Sequence, residues 1–172
     1  VSNEASKNVV PGLDVKIIPN AIPNQHINIE FTNSQDLLFI GRNEKRKNFK
    51  LYYQLSNLLK NSTYSFRAIT NKYIYSPNIE LFINPDDEIK NEVLKGSSIY
   101  LAVNTHGESF GITILEAINA GCTAVCSDIS AFKDLLGDSG VYFKNNNLED
   151  LKQTIEQLDT DDIQTIYNKQ KT

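Results

Sequence analysis

Two short segments hold the side chains best suited to chemistry. The first, Gly41-Arg42-Asn43-Glu44-Lys45-Arg46-Lys47-Asn48-Phe49-Lys50, gathers five cations in a chain whose net charge is −4. Guanidinium and ammonium groups on a loop that follows a strand suit a diphosphate, and Gly41 lets the backbone turn sharply there. The same charges also fit a solvated basic loop. The second segment runs from Asn104 through Thr105, His106, Gly107, Glu108, Ser109, Phe110 and Gly111 to Ile112. Ser109 reads as a helix N-cap. The free N–H groups of the first helical turn, with the helix dipole, then make an anion site. Gly111 has no side chain to hold a ligand away from the backbone. Glu108 lies just before this helix and Glu116 about two turns into it. As ligand groups they bracket the turn; as plain structure they are a charge near a helix N-terminus and a solvated helix residue. His106 fits either a ligand contact or a loop hydrogen bond.

Several chemistries are disfavoured. There is no G-x-G-x-x-G and no P-loop lysine motif, which argues against a dinucleotide dehydrogenase or an NTPase. A G-x-S-x-G nucleophile elbow is also missing. His26 and His106 are the only histidines, too few for a histidine-based metal site, and His26 sits in a polar stretch that reads as exposed. Cys122 and Cys126 fall in an apolar run and read as reduced core thiols. The acidic balance argues against nucleic acid. No apolar run is long enough for a transmembrane helix, and no signal peptide is visible. The chain starts at Val1-Ser2 and contains no Met, so it reads as a piece of a longer protein.

The elements that must position these segments alternate. Residues 1–14 read as an irregular lead-in, and residues 15–172 as a single domain. Strands are expected at Val15–Ile18, Leu37–Ile40, Tyr64–Ile69, Ile79–Ile83, Ile99–Val103, Thr123–Cys126 and Val141–Phe143. Runs that are apolar at every position suit strands covered on both faces. Helices are expected from Phe49 to about Leu59, from the Asp86-Asp87-Glu88 start to about Lys95, and from about Phe110 to Asn119. Further helices fit residues 132–136, 148–158 and 161–167; acidic residues at a helix start match its dipole. Asn145-Asn146-Asn147 reads as a turn. Such alternation predicts an α/β domain, a Rossmann-like parallel sheet with helices on both faces. In such sheets ligands bind beyond the C-terminal strand ends, where both chemical segments fall.

Residues 107–125, GESFGITILEAINAGCTAV, resemble the retaining glycosyltransferases of family 4, which have the two-domain GT-B fold. They carry that family's pair of glutamates separated by seven residues, at Glu108 and Glu116. Phe39-Ile40-Gly41-Arg42 with Lys47-Asn48 resembles its second signature. Within the family, Asn104 through Gly111 with Ser127-Asp128 is most similar to the phosphatidylinositol mannosyltransferase branch. The resemblance implies the C-terminal, donor-binding half, with residues 1–14 as the hinge from an N-terminal acceptor-binding domain. It implies that Arg42 and Lys47, helped by Arg46, neutralise the diphosphate of a UDP- or GDP-sugar. The Gly41 and Gly107 turns belong to the same site. Backbone N–H groups of Phe110, Gly111 and Ile112 would hold phosphate or sugar oxygens. Glu108 would address the transferred sugar, Glu116 the ribose, and Phe82, Ile83 and the Pro85-Asp86 turn would border the base. It also implies no metal and no cofactor, a cytoplasmic setting, and no membrane insertion by these residues. The helix that crosses back to the other half is missing after Tyr167.

Three functions follow as expectations. The leading one is donor binding for a hexosyltransferase acting on a glycan or lipid acceptor, with the isolated chain inactive. The others are a different GT-B enzyme, such as a nucleotide-sugar epimerase, and a noncatalytic interaction module.

Overall fold

The computed structural model describes residues 35–108, 110–158 and 160–171. The expected lead-in, the strand at Val15–Ile18, His26 and Ser109 lie outside the described residues. Six strands form one sheet: β1 (Asp36–Ile40), β2 (Ser65–Thr70), β3 (Glu80–Ile83), β4 (Ile99–Ala102), β5 (Thr123–Ser127) and β6 (Val141–Phe143). Between and after them run α1 (Phe49–Leu58), α2 (Asp87–Lys95), α3 (Ile112–Ala120), α4 (Ser130–Leu136), α5 (Leu148–Glu156) and α6 (Thr160–Lys171).

All five strand pairings are parallel, in the order β3-β2-β1-β4-β5-β6. Parallel neighbours need crossovers, and the intervening helices supply them. Alternate residues of β1 feed two cores. Leu37 and Phe39 pack with Tyr52 and Leu55 of α1 and with Leu151 and Ile155 of α5. Leu38 packs on the other side with Val93, Ile114, Phe132 and Tyr167, from α2, α3, α4 and α6. The sheet is thus covered on both faces, as its apolar runs require, and the expected α/β Rossmann-like class is the observed one.

An aromatic cluster anchors the start of the basic loop. Phe39 meets Phe49 edge-on at 5.3 Å and Tyr52 at 5.4 Å, and Tyr52 meets Phe66 at 5.7 Å. The buried Tyr52 hydroxyl lies 2.6 Å from the Leu37 carbonyl and 2.7 Å from that of Arg67, pinning α1 to β1 and β2. At the other end of the sheet, β6 begins too late to pair with Ala124. The Gln170 side chain of α6 stands in for a strand there: its amide accepts from Ala124 N at 2.8 Å and donates to Ala124 O at 2.9 Å. Helix α6 is accordingly longer than the expected 161–167.

Helix α3 starts two residues later than expected. Gly111 occupies its N-cap position with φ 61° and ψ 35°, so Phe110 and Gly111 lie outside the helix. The expected Ser109 cap is therefore corrected: the left-handed turn at Gly111 moves the cap position past Ser109. Asp86, by contrast, caps α2, its carboxylate accepting from Ile89 N at 2.9 Å.

Cys122 and Cys126 are free and buried, as expected. Burial pushes the Cys122 thiol from its ordinary 9.0 up to about 12, and Cys126 is raised too. The phenols of Tyr52 and Tyr100 are also held well above their usual range, chiefly by burial. Folded, these groups keep protons that the unfolded chain releases from about pH 9 upward, so in that window the unfolded state binds fewer protons and stability falls as pH rises. We expect the melting temperature to drop progressively between about pH 9 and about pH 11, and both thiols to resist alkylation until the chain unfolds. Calorimetric melts across pH, with a thiol reagent added at neutral pH, check this; a flat profile or rapid native-state labelling would contradict it.

Candidate functional site

In this strand order the direction in which successive strands are added reverses between the parallel neighbours β1 and β4, so the loops leaving these two strands diverge from one point. Ligands bind in that crevice in doubly wound sheets. The loop after β1 contains Gly41 and Arg42, a short 3-10 turn at Lys45–Lys47, and Asn48 in the left-handed region at φ 54°. A side-chain carbon on Gly41 would come within 2.8 Å of the Phe39 ring, which is why this tight exit takes glycine. The loop after β4 runs from Val103 to Gly111.

The loops are stitched together. Lys47 Nζ meets Glu108 Oε2 at 2.8 Å, with the two side chains only 15% and 18% exposed. Asn104 Nδ2 donates to the same carboxylate oxygen at 2.8 Å. Arg46 donates to the Gly107 carbonyl at 3.2 Å, and its own carbonyl accepts from Thr105 N at 2.9 Å. Arg46 also pairs with Glu44 at 2.8 Å. Glu116, facing inward from α3, is held by Lys90 of α2, whose Nζ lies 3.0 and 2.9 Å from its two oxygens. Glu116 is thus an ion-paired residue rather than a solvated one. Both glutamates bear on one buried phenol: after burial and the Cys126 thiol, the Glu108 and Glu116 charges help keep Tyr100 protonated.

A cleft of about 360 Å³ opens here. Gly41, Arg42, Arg46 and Lys47 form one wall, Asn71, Asn84 and Pro85 another, and Lys90 and Thr113 the side toward α2 and α3. A separate hollow of about 300 Å³ borders Glu108, His106, Gly107 and Ser130. Glu108 therefore stands between the hollow and, through Lys47, the cationic cleft. A further hollow of about 510 Å³ lies across the basic loop against Phe49, Tyr53, Ile74 and Tyr75, and neither Glu108 nor Glu116 lines it.

Most of the residues singled out from sequence converge: Gly41, Arg42, Arg46, Lys47, Gly107, Glu108, Gly111 and Glu116. His106 is exposed and its Nδ1 lies 2.8 Å from Thr105 Oγ1, the local hydrogen bond that was one of its two readings. Of the three helix-start amides, that of Gly111 points to Glu108 Oε1 at 3.4 Å. Ile112 is 46% exposed. Phe82 packs against the core, and Ile83 is exposed; Asn84 and Pro85 form the wall next to them. Sequence reasoning missed Lys90, Asn71 and Asn84, and it placed Asn104 at the start of the second segment without giving its side chain a role. Lys90 alone had a signal, one turn inside an acid-capped helix, but its partner on α3 had none. Among the described residues no three His, Cys, Asp or Glu side chains gather as a metal site, and no helix is long and apolar enough to cross a membrane.

A cation-lined cleft at the switch point, with two of its lysines paired to Glu108 and Glu116, can hold a phosphorylated ligand and offset negative charge on it. Residues 23–171 match the family described as Glycosyl transferases group 1. The chain belongs to this family. Within it, the chain is 45% identical over 56 residues to the phosphatidyl-myo-inositol mannosyltransferase of Mycobacterium tuberculosis (strain ATCC 25618 / H37Rv), a match covering 33% of this chain and 15% of that protein. Among solved structures it is similar to TarM, with TM-score 0.74 and 19% identity over 92% of this chain and 35% of that one. It is also similar to the trehalose-6-phosphate enzyme of E. coli bound with UDP-2-fluoro glucose, with TM-score 0.64 and 9% identity over 80% and 40% of the two chains. These likenesses establish the GT-B fold. The chain spans about a third of the length of TarM. Gly111 sets the end of the second loop. Its φ of 61° is strained for any L side chain, and an added Cβ would lie 2.8 Å from Leu135 Cδ2. Gly111→Ala is expected to cost about 1–2 kcal/mol from the left-handed backbone alone, read as a lower urea midpoint with an unchanged slope. Wild-type stability in that variant would show that the turn relaxes freely.

Proposed function

We propose that this chain is the donor-binding half of a retaining glycosyltransferase that transfers a hexose from a UDP- or GDP-sugar to a glycan or lipid acceptor. The carrying observation is the cleft that sets Arg42, Arg46 and Lys47 against Glu108 at the sheet's switch point. The relatives named for mannosyl transfer to a phosphatidylinositol, and the neighbour that holds a UDP-sugar analogue, support a nucleotide-sugar donor.

In this reading Arg42 and Lys47, with Arg46, hold the diphosphate and offset the charge that builds on it as the sugar–phosphate bond breaks. No metal is needed for that charge. Glu116, oriented by Lys90, accepts from the ribose hydroxyls, and Glu108 meets the transferred sugar. The base lies toward Asn84, Pro85 and the end of β3. A separate N-terminal domain supplies the acceptor site, so the chain by itself does not turn over, because transfer depends on aligning both substrates. Cytoplasmic action on a glycolipid or polysaccharide precursor is part of the same proposal. Neither nucleic acid nor a cofactor enters it.

Titration with UDP and GDP, with and without EDTA, tests the donor site. Affinity of about 10 μM to 1 mM is expected, since half of an interdomain cleft meets the ordering cost; loss of binding on chelation would end the metal-free mechanism, and no binding of either nucleotide would favour a noncatalytic module. The two glutamates should fail differently. Glu116→Ala is expected to weaken nucleoside diphosphate and nucleotide sugar alike, by roughly ten- to a hundredfold for loss of a charged acceptor. Glu108→Ala should weaken mainly the nucleotide sugar. If Glu116→Ala binds the diphosphate as wild type does, the ribose assignment is wrong.

A further inference from the structure

Asn104 sits two residues beyond β4 and is only 4% exposed. A buried primary amide must find partners or be costly. Here its Nδ2 donates to Glu108 Oε2 at 2.8 Å, the oxygen that also meets Lys47 at 2.8 Å. The residue's backbone is clamped as well. Its carbonyl accepts from the buried Ser127 Oγ at 2.5 Å, at the end of β5. The next residue, Thr105, donates its N–H to the Arg46 carbonyl at 2.9 Å and accepts from Asn145 Nδ2 at 2.9 Å. Three neighbouring segments therefore fix where this amide is, and the amide fixes the carboxylate.

We infer that Asn104 is a positioning residue: with Lys47 it locks the Glu108 carboxylate into one orientation before a glycosyl donor arrives. The inference rests on the reading that Glu108 meets the transferred sugar. A long, flexible carboxylate beside a cation has several rotamers: the Gly111 N–H faces Oε1 at 3.4 Å, and an ammonium on the flexible Lys47 stem leaves the direction of approach to Oε2 open. A donor from a rigid, buried strand end removes that freedom, which is the way precise sites are supported. The charged or titratable groups around Glu108 are Lys47 and Arg46 from the loop after β1, Tyr100 beneath it on β4, His106 on its own loop, and Glu116 across on α3.

Asn104→Asp is nearly isosteric, keeps the backbone bond to Ser127, and turns a donor into a second carboxyl beside Glu108. Carbon-13 NMR titration of the glutamate carboxylates, with Glu108 assigned by its loss in Glu108→Gln, reads the effect without ligand. His106 is followed separately by its ring protons. In Asn104→Asp the Glu108 midpoint should rise by about one unit or more, with a two-step curve. Asn104→Ala, as a second variant, should raise it less. An unchanged midpoint in both variants overturns the inference. Calorimetry with UDP, GDP, UDP-glucose and GDP-mannose then reads the consequence. Asn104→Asp should lose about tenfold more affinity for the preferred nucleotide sugar than for the plain nucleotides at about pH 8, and recover near about pH 5, where the carboxyl pair retains a proton and can donate again. Wild-type sugar affinity at both pH values, while Glu108→Ala loses it, would reduce Asn104 to a packing role. If Glu108→Ala itself leaves nucleotide-sugar binding unchanged, the sugar assignment of Glu108 falls, and the NMR titration alone decides whether Asn104 sets that carboxylate.

Discussion

Everything at this site depends on the reversal of strand succession between the parallel neighbours β1 and β4. A parallel sheet built outward in both directions from a central pair has one place where successive loops turn away from each other. Here that place lies between Ile40 and Ala102, and the segments that leave these residues carry nearly all the charge that matters. Had the strand order been a simple progression, the basic loop and the glutamate loop would lie on opposite sides of intervening strands. The ion pair between Lys47 and Glu108, across sixty-one positions of sequence, would then be impossible.

The loops at that crevice are irregular, yet they are not loosely attached. Beneath the first, the rings of Phe39, Phe49, Tyr52 and Phe66 form an edge-on and tilted cluster, and Tyr52 also hydrogen-bonds to two strand carbonyls. Under the second, β5 and β6 send Ser127 and Asn145 to the carbonyls of Asn104 and Thr105. Polar loop backbone that would be costly if buried unpaired is thereby satisfied by the ends of neighbouring strands. A rigid scaffold with function on its connecting loops is the usual division of labour in α/β domains.

Three of the cleft's cations are each matched by a carboxylate. Lys47 is matched by Glu108, Lys90 by Glu116, and Arg46 by Glu44. Partly exposed pairs of this kind add little to stability. Their value is to keep cations and carboxylates oriented toward the same space without leaving any of them buried and uncompensated. An anionic ligand entering the cleft must share or displace these partners, which makes discrimination depend on how well it replaces them.

The sequence by itself determined the class of fold and the chemistry of the two loops. Apolar runs such as Leu37–Ile40 and Ile99–Ala102 suit strands buried on both faces, and alternation with amphipathic segments leaves a parallel sheet as the economical solution. Arg42, Lys47, Glu108 and Glu116 could be picked out because their types and spacing are local properties. What only the tertiary structure decided is which charges meet. Lys90 looked like an ordinary helix lysine until α2 packed beside α3 and set it against Glu116. Asn104 stood at the head of the second segment with no role for its side chain until the fold aimed its amide at Glu108. The left-handed turn at Gly111 also moved the helix start past Phe110, where a pattern of residue types cannot see a backbone angle. Pairings across distant segments depend on strand order and helix packing, and these arise from the whole set of contacts rather than from any one stretch of chain.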